Sequence, residues 1–128
     1  MKHLIRNVLA SAVAAVAMVA APMSLARAPA CALDQSISVR ELPKQGQDTL
    51  ATISAGGPFA SDRDGIVFNN RERILPREKR GFYREYTVRT PGVKNRGARR
   101  IVCGGDQRAA DQCFYSDDHY QSFKCITR

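Results

Sequence analysis

The sequence predicts an α+β fold: one main N-terminal helix packed on a twisted antiparallel sheet of about five strands. Three observations carry this. A single helical pattern stands early in the chain. After it come only short runs rich in aromatic and β-branched residues, separated by Gly, Pro and Asp turns. Those runs alternate in polarity, as half-buried antiparallel strands do.

The helix is expected from Leu42-Pro43 to about Ser54. Pro43 suits a first turn, Leu42, Thr49, Leu50 and Ile53 can share one face, and Gly56-Gly57-Pro58 ends the pattern. Asp64-Gly65 forms a turn before the apolar run Ile66-Val67-Phe68. Phe82 to Thr90 reads as a strand, with Tyr83, Glu85, Thr87 and Arg89 on one face and Phe82, Arg84, Tyr86 and Val88 on the other. Pro91-Gly92 turns the chain into a second strand, Arg99 to Cys103, on which Arg100 and Val102 face away from Arg99 and Ile101. Phe114-Tyr115 and Gln121 to Ile126 are the remaining strands, joined through Ser116-Asp117-Asp118-His119.

Residues 1–30 stand apart. Lys2 and Arg6 precede an apolar run from Val8 to Ala21 broken only by Ser11; Pro22 ends it, and small residues follow at Ala26, Ala28 and Ala30. This is the layout of a secretory signal peptide, and the run is short for a membrane span. Cleavage before Cys31 fits the small residues Ala28 and Ala30, whereas cleavage after Ala32 would discard Cys31. The expected product is one exported domain, residues 31–128, secreted or periplasmic, monomeric and without a membrane segment. It retains seventeen of the twenty Lys and Arg and all twelve Asp and Glu, a net charge of +5. Such a domain attracts polyanions, but charge alone does not separate nucleic acid from membranes or acidic polysaccharides.

Four cysteines in a small exported chain read as two disulfides. Of the three possible pairings, proximity favours Cys103–Cys113, which leaves Cys31–Cys125 to close the ends. In the chain-entropy description the long bridge contributes about 3–5 kcal/mol. No CxxC pair is present, and the spacing does not suit zinc.

Glu85 sits in mid-strand, where glutamate is disfavoured. By itself it reads as a solvated carboxylate on an open sheet face. The adjoining hairpin, however, delivers Arg96 and Arg100. A carboxylate beside two guanidiniums is a phosphate site containing a base, since the planar fork of arginine matches phosphate oxygens. His119, the one histidine after residue 30, then becomes a candidate general acid.

The segments Asp64-Gly65-Ile66-Val67-Phe68-Asn69-Asn70-Arg71-Glu72, Glu85-Tyr86-Thr87-Val88, Thr90-Pro91-Gly92, Arg96-Gly97-Ala98-Arg99-Arg100-Ile101 and Asp118-His119-Tyr120 occur in that order. As a set, covering about Leu42 to Ile126, they resemble the small guanyl-specific bacterial ribonucleases, the barnase-like microbial ribonuclease family. The resemblance implies a metal-independent endoribonuclease acting on single-stranded RNA, with no cofactor and with a barstar-like inhibitor protein as a further expected partner. It assigns Glu85 as general base, Arg96 and Arg100 as phosphate-binding arginines, His119 as general acid and Tyr120 as a phosphate contact. Glu72 becomes the carboxylate that recognises guanine. The backbone amides of Asn69, Asn70 and Arg71 read the base's other edge, and Phe68 is the loop's apolar support. The chemistry is consistent with these residue types: guanine presents N1–H and its 2-amino group side by side, and one carboxylate accepts from both.

Two other readings compete. A non-catalytic cationic protein that binds RNA or other polyanions needs only the charge and the disulfides. A metal nuclease would use Asp62, Asp64, Asp117 or Asp118, although too few ligands follow Asp62-Arg63-Asp64-Gly65 for a calcium loop. Arg63, Arg71, Arg73, Arg77, Lys79 and Arg80 make a basic rim. It serves solubility in the plainest reading and attraction for neighbouring phosphates in the functional one.

Overall fold

A computed structural model describes residues 11–23 and 31–128. Residues 11–23 are exposed and carry no regular secondary structure. Lys2, Arg6 and the small residues at 28 and 30 lie outside the described residues. Among the described residues no helix is long and apolar enough to cross a membrane.

In chain order the elements are β1 (Ser36–Ser38), a 3-10 turn (Val39–Glu41), α1 (Lys44–Ala55), β2 (Ile66–Val67), β3 (Tyr83–Thr87), β4 (Arg100–Gly104), β5 (Cys113–Ser116) and β6 (Lys124–Thr127). The strands form one sheet in the order β1-β6-β5-β4-β3-β2.

The expected α+β architecture holds, but the sheet has six strands rather than about five, and it is mixed rather than purely antiparallel. The extra strand is β1, which runs parallel to β6 with Ser36 opposite Cys125 and Thr127 opposite Ser38. Ser36-Ile37-Ser38 has too little apolar character to read as a strand. Tertiary contacts recruit it: the Cys31–Cys125 disulfide ties the preceding segment to β6, and the Cys125 amide donates to the Gln35 carbonyl at 3.0 Å.

Helix α1 starts one residue after Pro43, which occupies the capping position with extended ψ. It ends at Gly56, whose φ of 79° is the left-handed conformation that glycine adopts without steric cost. The Gly57 amide closes the end on the Thr52 carbonyl at 3.0 Å. Leu50 and Ile53 pack with Leu42 against Tyr86, Val88, Ile101, Cys103, Cys113 and Tyr115 on one face of the sheet. Truncating the fully buried Ile53 to Ala should cost about 2–5 kcal/mol. The Thr49 hydroxyl also reaches the Thr87 carbonyl at 3.3 Å, which joins helix to β3.

Alternation sends the other side chains to the opposite face. There Tyr83, Val102, Phe114 and Cys125 form a second core with Leu75 and Phe123, contributed by loops. These loops cover only part of that face. Glu85, Thr87 and Arg100 occupy its remaining end, on β3 and β4, where Glu85 is opposite Val102 and Thr87 is opposite Arg100. The second disulfide, Cys103–Cys113, crosses β4 and β5 at a paired position of the sheet. No free cysteine remains among the described residues.

Candidate active site

Glu85 and Arg100 are two of the few buried charged or polar residues, at 7% and 2% exposure. Charges at such depth require partners. The Tyr120 hydroxyl donates to Glu85 Oε2 at 2.7 Å and accepts from Arg100 Nε at 3.1 Å. One phenol thus bridges the carboxylate and a guanidinium. Arg100 is fixed further by donation from Nη1 to the Arg99 carbonyl at 2.7 Å and, more weakly, to the Arg96 carbonyl at 3.4 Å. Its guanidinium carbon lies 5.8 Å from the Tyr120 ring centre, within reach of a cation–π contact.

Arg96 completes the group. Its Nε donates to the Thr87 hydroxyl at 3.0 Å, and its Nη2 lies 3.5 Å from Glu85 Oε1. That Nη2 is buried and makes no hydrogen bond. A buried unsatisfied donor beside a carboxylate is costly unless an acceptor arrives, so it favours an anionic oxygen entering at this point. The loop carrying Arg96 turns at Gly97, with φ of 65°; a Cβ there would come within 2.8 Å of the Thr90 hydroxyl. Glycine is therefore required beside Arg96.

His119 and Tyr120 are presented by a tight turn in which both have left-handed backbones, φ 57° and 72°. Such conformations are costly outside glycine and persist only where surrounding bonds hold them. Here the holding group is Ser116, 1% exposed: its hydroxyl accepts from the Tyr120 amide at 3.0 Å and donates to Asp118 Oδ1 at 2.9 Å. Asp118 also accepts from the Ser122 amide at 2.9 Å and from the Ser122 hydroxyl. The His119 amide donates to the Ala98 carbonyl at 3.0 Å, which ties this turn to the Arg96 loop. Desolvation opposes ionisation of Asp118, but the Ser122 and Ser116 hydrogen bonds outweigh it and hold the carboxyl below its ordinary value.

Tyr120 is pushed the other way, up to about 12. Burial is the main cause; the hydrogen bond to Glu85 and its charge add to it, and Arg100 opposes. The phenol therefore stays protonated and can donate to Glu85 at any ordinary pH.

A cavity of about 700 Å³ opens over these groups. Glu85, His119 and Tyr120 form one part of its lining, and the Phe68–Glu72 loop forms another. Phe68 joins the two, its ring 5.1 Å from that of Tyr120 and 5.9 Å from that of Phe123. The loop is shaped by Asn70, which has φ of 51°. Its side-chain amide donates to the Leu75 carbonyl at 2.9 Å, and its carbonyl oxygen accepts from the Leu75 amide at 3.1 Å. Glu72 is exposed at the cavity rim.

The structure thus brings Glu85, His119, Tyr120 and the 68–72 loop to one cavity, with Arg96 and Arg100 joined to Glu85 and Tyr120 beneath. Sequence reasoning missed several contributors. Arg63 lines the cavity rather than only a basic rim, and Gln121 and Phe123 line it as well. Thr87, Ser116 and Ser122 orient the functional side chains without reaching the cavity. The Ser116-Asp117-Asp118 run was a legible signal, since Ser and Asp side chains in turns bond nearby backbone. Asp64 and Asp118, two of the four candidate metal ligands, are engaged elsewhere: Asp64 accepts from the Thr87 amide at 2.7 Å. Among the described residues no three His, Cys, Asp or Glu side chains are grouped as a metal site.

The fold and this cavity define a known class of protein. Residues 26–127 match the ribonuclease family, and the chain belongs to it. It is 44% identical over 91 residues to guanyl-specific ribonuclease Sa of Kitasatospora aureofaciens, covering 71% of this chain and 92% of that protein. It is 44% identical over 90 residues to guanyl-specific ribonuclease St of Saccharopolyspora erythraea, covering 70% and 85%. A solved structure of ribonuclease Sa2, described in complexes with mononucleotides, superposes with a TM-score of 0.70 at 45% identity, covering 76% of this chain and 96% of that one. Another, with guanosine-2'-cyclophosphate, gives 0.67 at 46% identity, covering 75% and 97%.

Proposed function

We propose that this enzyme is an exported, guanyl-preferring endoribonuclease that cleaves single-stranded RNA by transesterification, followed by hydrolysis of a 2',3'-cyclic phosphate. The observation that carries the reading is the buried Glu85 carboxylate, which shares a cavity with His119 and Tyr120 and is placed against Arg96 Nη2 and, through Tyr120, against Arg100.

In this mechanism Glu85 takes the proton of the ribose 2'-hydroxyl, and that oxygen attacks the adjacent phosphorus. Arg96 and Arg100 stabilise the charge that develops on the phosphoryl oxygens, Arg96 with the donor left open at Nη2. Tyr120 keeps its proton and donates beside them. His119, exposed at the cavity edge, protonates the departing 5'-oxygen. In the second step the two groups exchange roles and water opens the ring to a 3'-phosphate. The substrate supplies the nucleophile and two side chains supply the proton transfers, so the reaction needs a 2'-hydroxyl and no added metal.

Guanine is taken by the 68–72 loop. Glu72 accepts from N1–H and the 2-amino group, and the amides of Asn69, Asn70 and Arg71 donate to the opposite edge. Single-stranded RNA exposes that edge, whereas a duplex conceals it. The guanyl-specific relatives support this choice of base. Residues 1–30 are the signal removed on export, and the monomer is the active form.

The test is digestion of a mixed-sequence RNA in the presence of chelator. Fragments ending in guanosine 2',3'-cyclic phosphate or 3'-phosphate are expected. Equal cleavage after all four bases, or strict dependence on a divalent metal, refutes the reading.

A further inference from the structure

The guanine loop also lines a second hollow. This smaller cavity, about 270 Å³, lies between Phe68–Asn70 and the turn Glu78–Gly81, with Tyr83 also in its lining. It shares Phe68, Asn69 and Asn70 with the main cavity but includes neither Glu85 nor His119 nor Tyr120. Lys79 and Arg80 stand at its edge, both exposed, and among the described residues neither is in an ion pair. The one acidic group of this lining, Glu78, acts on the buried Tyr83 phenol: burial and then the Glu78 charge push Tyr83 up to about 12. The Tyr83 hydroxyl is itself committed to the Pro76 carbonyl at 2.6 Å.

Two unpaired cations at a hollow that adjoins the base loop suit a phosphate with its sugar. The polarity of the substrate decides which phosphate. Resting on the reading above, guanosine sits on the 68–72 loop and its 3'-phosphate sits over Glu85, so the chain beyond the scissile bond leaves past His119. The 5' side of the same guanosine must leave elsewhere. The hollow shares Phe68–Asn70 of the base loop, includes none of the catalytic groups, and has Lys79 and Arg80 as its cationic lining. We propose that Lys79 and Arg80 form a subsite for the phosphate on the 5' side of the guanosine, so that this enzyme favours guanosines with a chain preceding them.

The probes are the dinucleotide GpC and its 5'-phosphorylated form pGpC. At low salt the added phosphate should raise kcat/KM about five- to ten-fold, mainly through KM, as partly exposed charge-assisted contacts do. The advantage should shrink as salt rises. Lys79→Gln/Arg80→Gln should abolish the advantage while cleaving GpC as the wild type does. Arg40→Gln/Lys44→Gln removes the same charge at exposed positions outside this hollow and should retain it. Both double variants change only exposed side chains, and thermal melting confirms that each is folded. Equal rates on the two probes, an advantage that survives Lys79→Gln/Arg80→Gln, or an equal loss in the control would overturn the subsite while leaving guanyl cleavage intact. Failure to cleave GpC at all would overturn both.

Discussion

The Tyr120 hydroxyl lies 2.7 Å from Glu85 Oε2 and joins two strands and a loop into one charged unit, because Arg100 Nε donates to the same oxygen from 3.1 Å. The bridge brings residues 35 positions apart into one hydrogen-bonded chain. It keeps a buried carboxylate partnered while Arg96 Nη2, in an ion pair with Glu85 at 3.5 Å, makes no hydrogen bond.

The tyrosines report on that unit. All four are pushed above the ordinary 10.0 by burial, Tyr83 and Tyr120 to about 12. The unfolded chain therefore releases these protons first as pH rises. Their contribution to stability is complete below pH 10 and is lost as pH rises through the raised folded values, about 12 for Tyr83 and Tyr120. Absorbance at 295 nm should show the phenolate rise of the folded protein displaced above pH 10, with Tyr83 and Tyr120 ionising near 12. In Glu85→Gln, Tyr120 should ionise earlier, because the hydrogen bond and the charge of Glu85 both hold its proton. An unchanged titration in that variant contradicts the bridge.

Acid and base can be separated by the leaving group. Glu85→Gln and His119→Ala should each lose about 10²–10⁴-fold on RNA. With an activated aryl leaving group, which departs without a proton, His119→Ala should recover much of its loss and Glu85→Gln should not. Equal rescue of both would show that the roles are wrongly assigned.

Base choice should rest on Glu72. Glu72→Ala removes an acceptor for two donors, each hydrogen bond to a charged group contributing about 1.5–3 kcal/mol. Discrimination for guanosine over other nucleosides should fall by orders of magnitude, with little change in melting temperature since the side chain is exposed. A variant that is less stable yet equally selective would place Glu72 in a structural role.

The His119–Tyr120 turn depends on Ser116 and Asp118. Ser116→Ala leaves the Tyr120 amide and Asp118 short of partners at a buried position. It should cost about 1–3 kcal/mol and lower activity on RNA. Asp118 titrates below its ordinary 3.8. Its stabilisation is complete above that value and is lost as pH falls through the lower, folded one. Asp118→Asn should flatten the acid limb of the stability–pH curve; an unaltered limb excludes Asp118 as its source.

Much of the architecture was legible along the chain. The helix, the four principal strands and their two faces follow from periodicity, which depends only on local geometry. Alternation also groups Glu85 with Thr87 on one strand and Arg100 with Val102 on the next, and the register that pairs Glu85 with Val102 and Thr87 with Arg100 puts them on one side of the sheet. The cavity-lining loop at residues 68–72 was marked out along the chain by Asn69-Asn70-Arg71-Glu72, through the family resemblance.

Tertiary structure decided the rest. Ser36–Ser38 is a strand only because Cys125 and Gln35 hold it against β6, a contact 90 residues away in sequence that no local pattern encodes. Arg63 reaches the cavity because its turn is folded back on β3, where the Gly65 amide donates to the Glu85 carbonyl at 2.8 Å. The open donor of Arg96 and the left-handed backbones of His119 and Tyr120 likewise belong to the assembled molecule. Sequence by itself determined which residues could carry charge and on which face they would lie. Their distances, partners and burial arise only when separate segments compete for the same space, and that competition is settled by packing rather than by any residue's own preference.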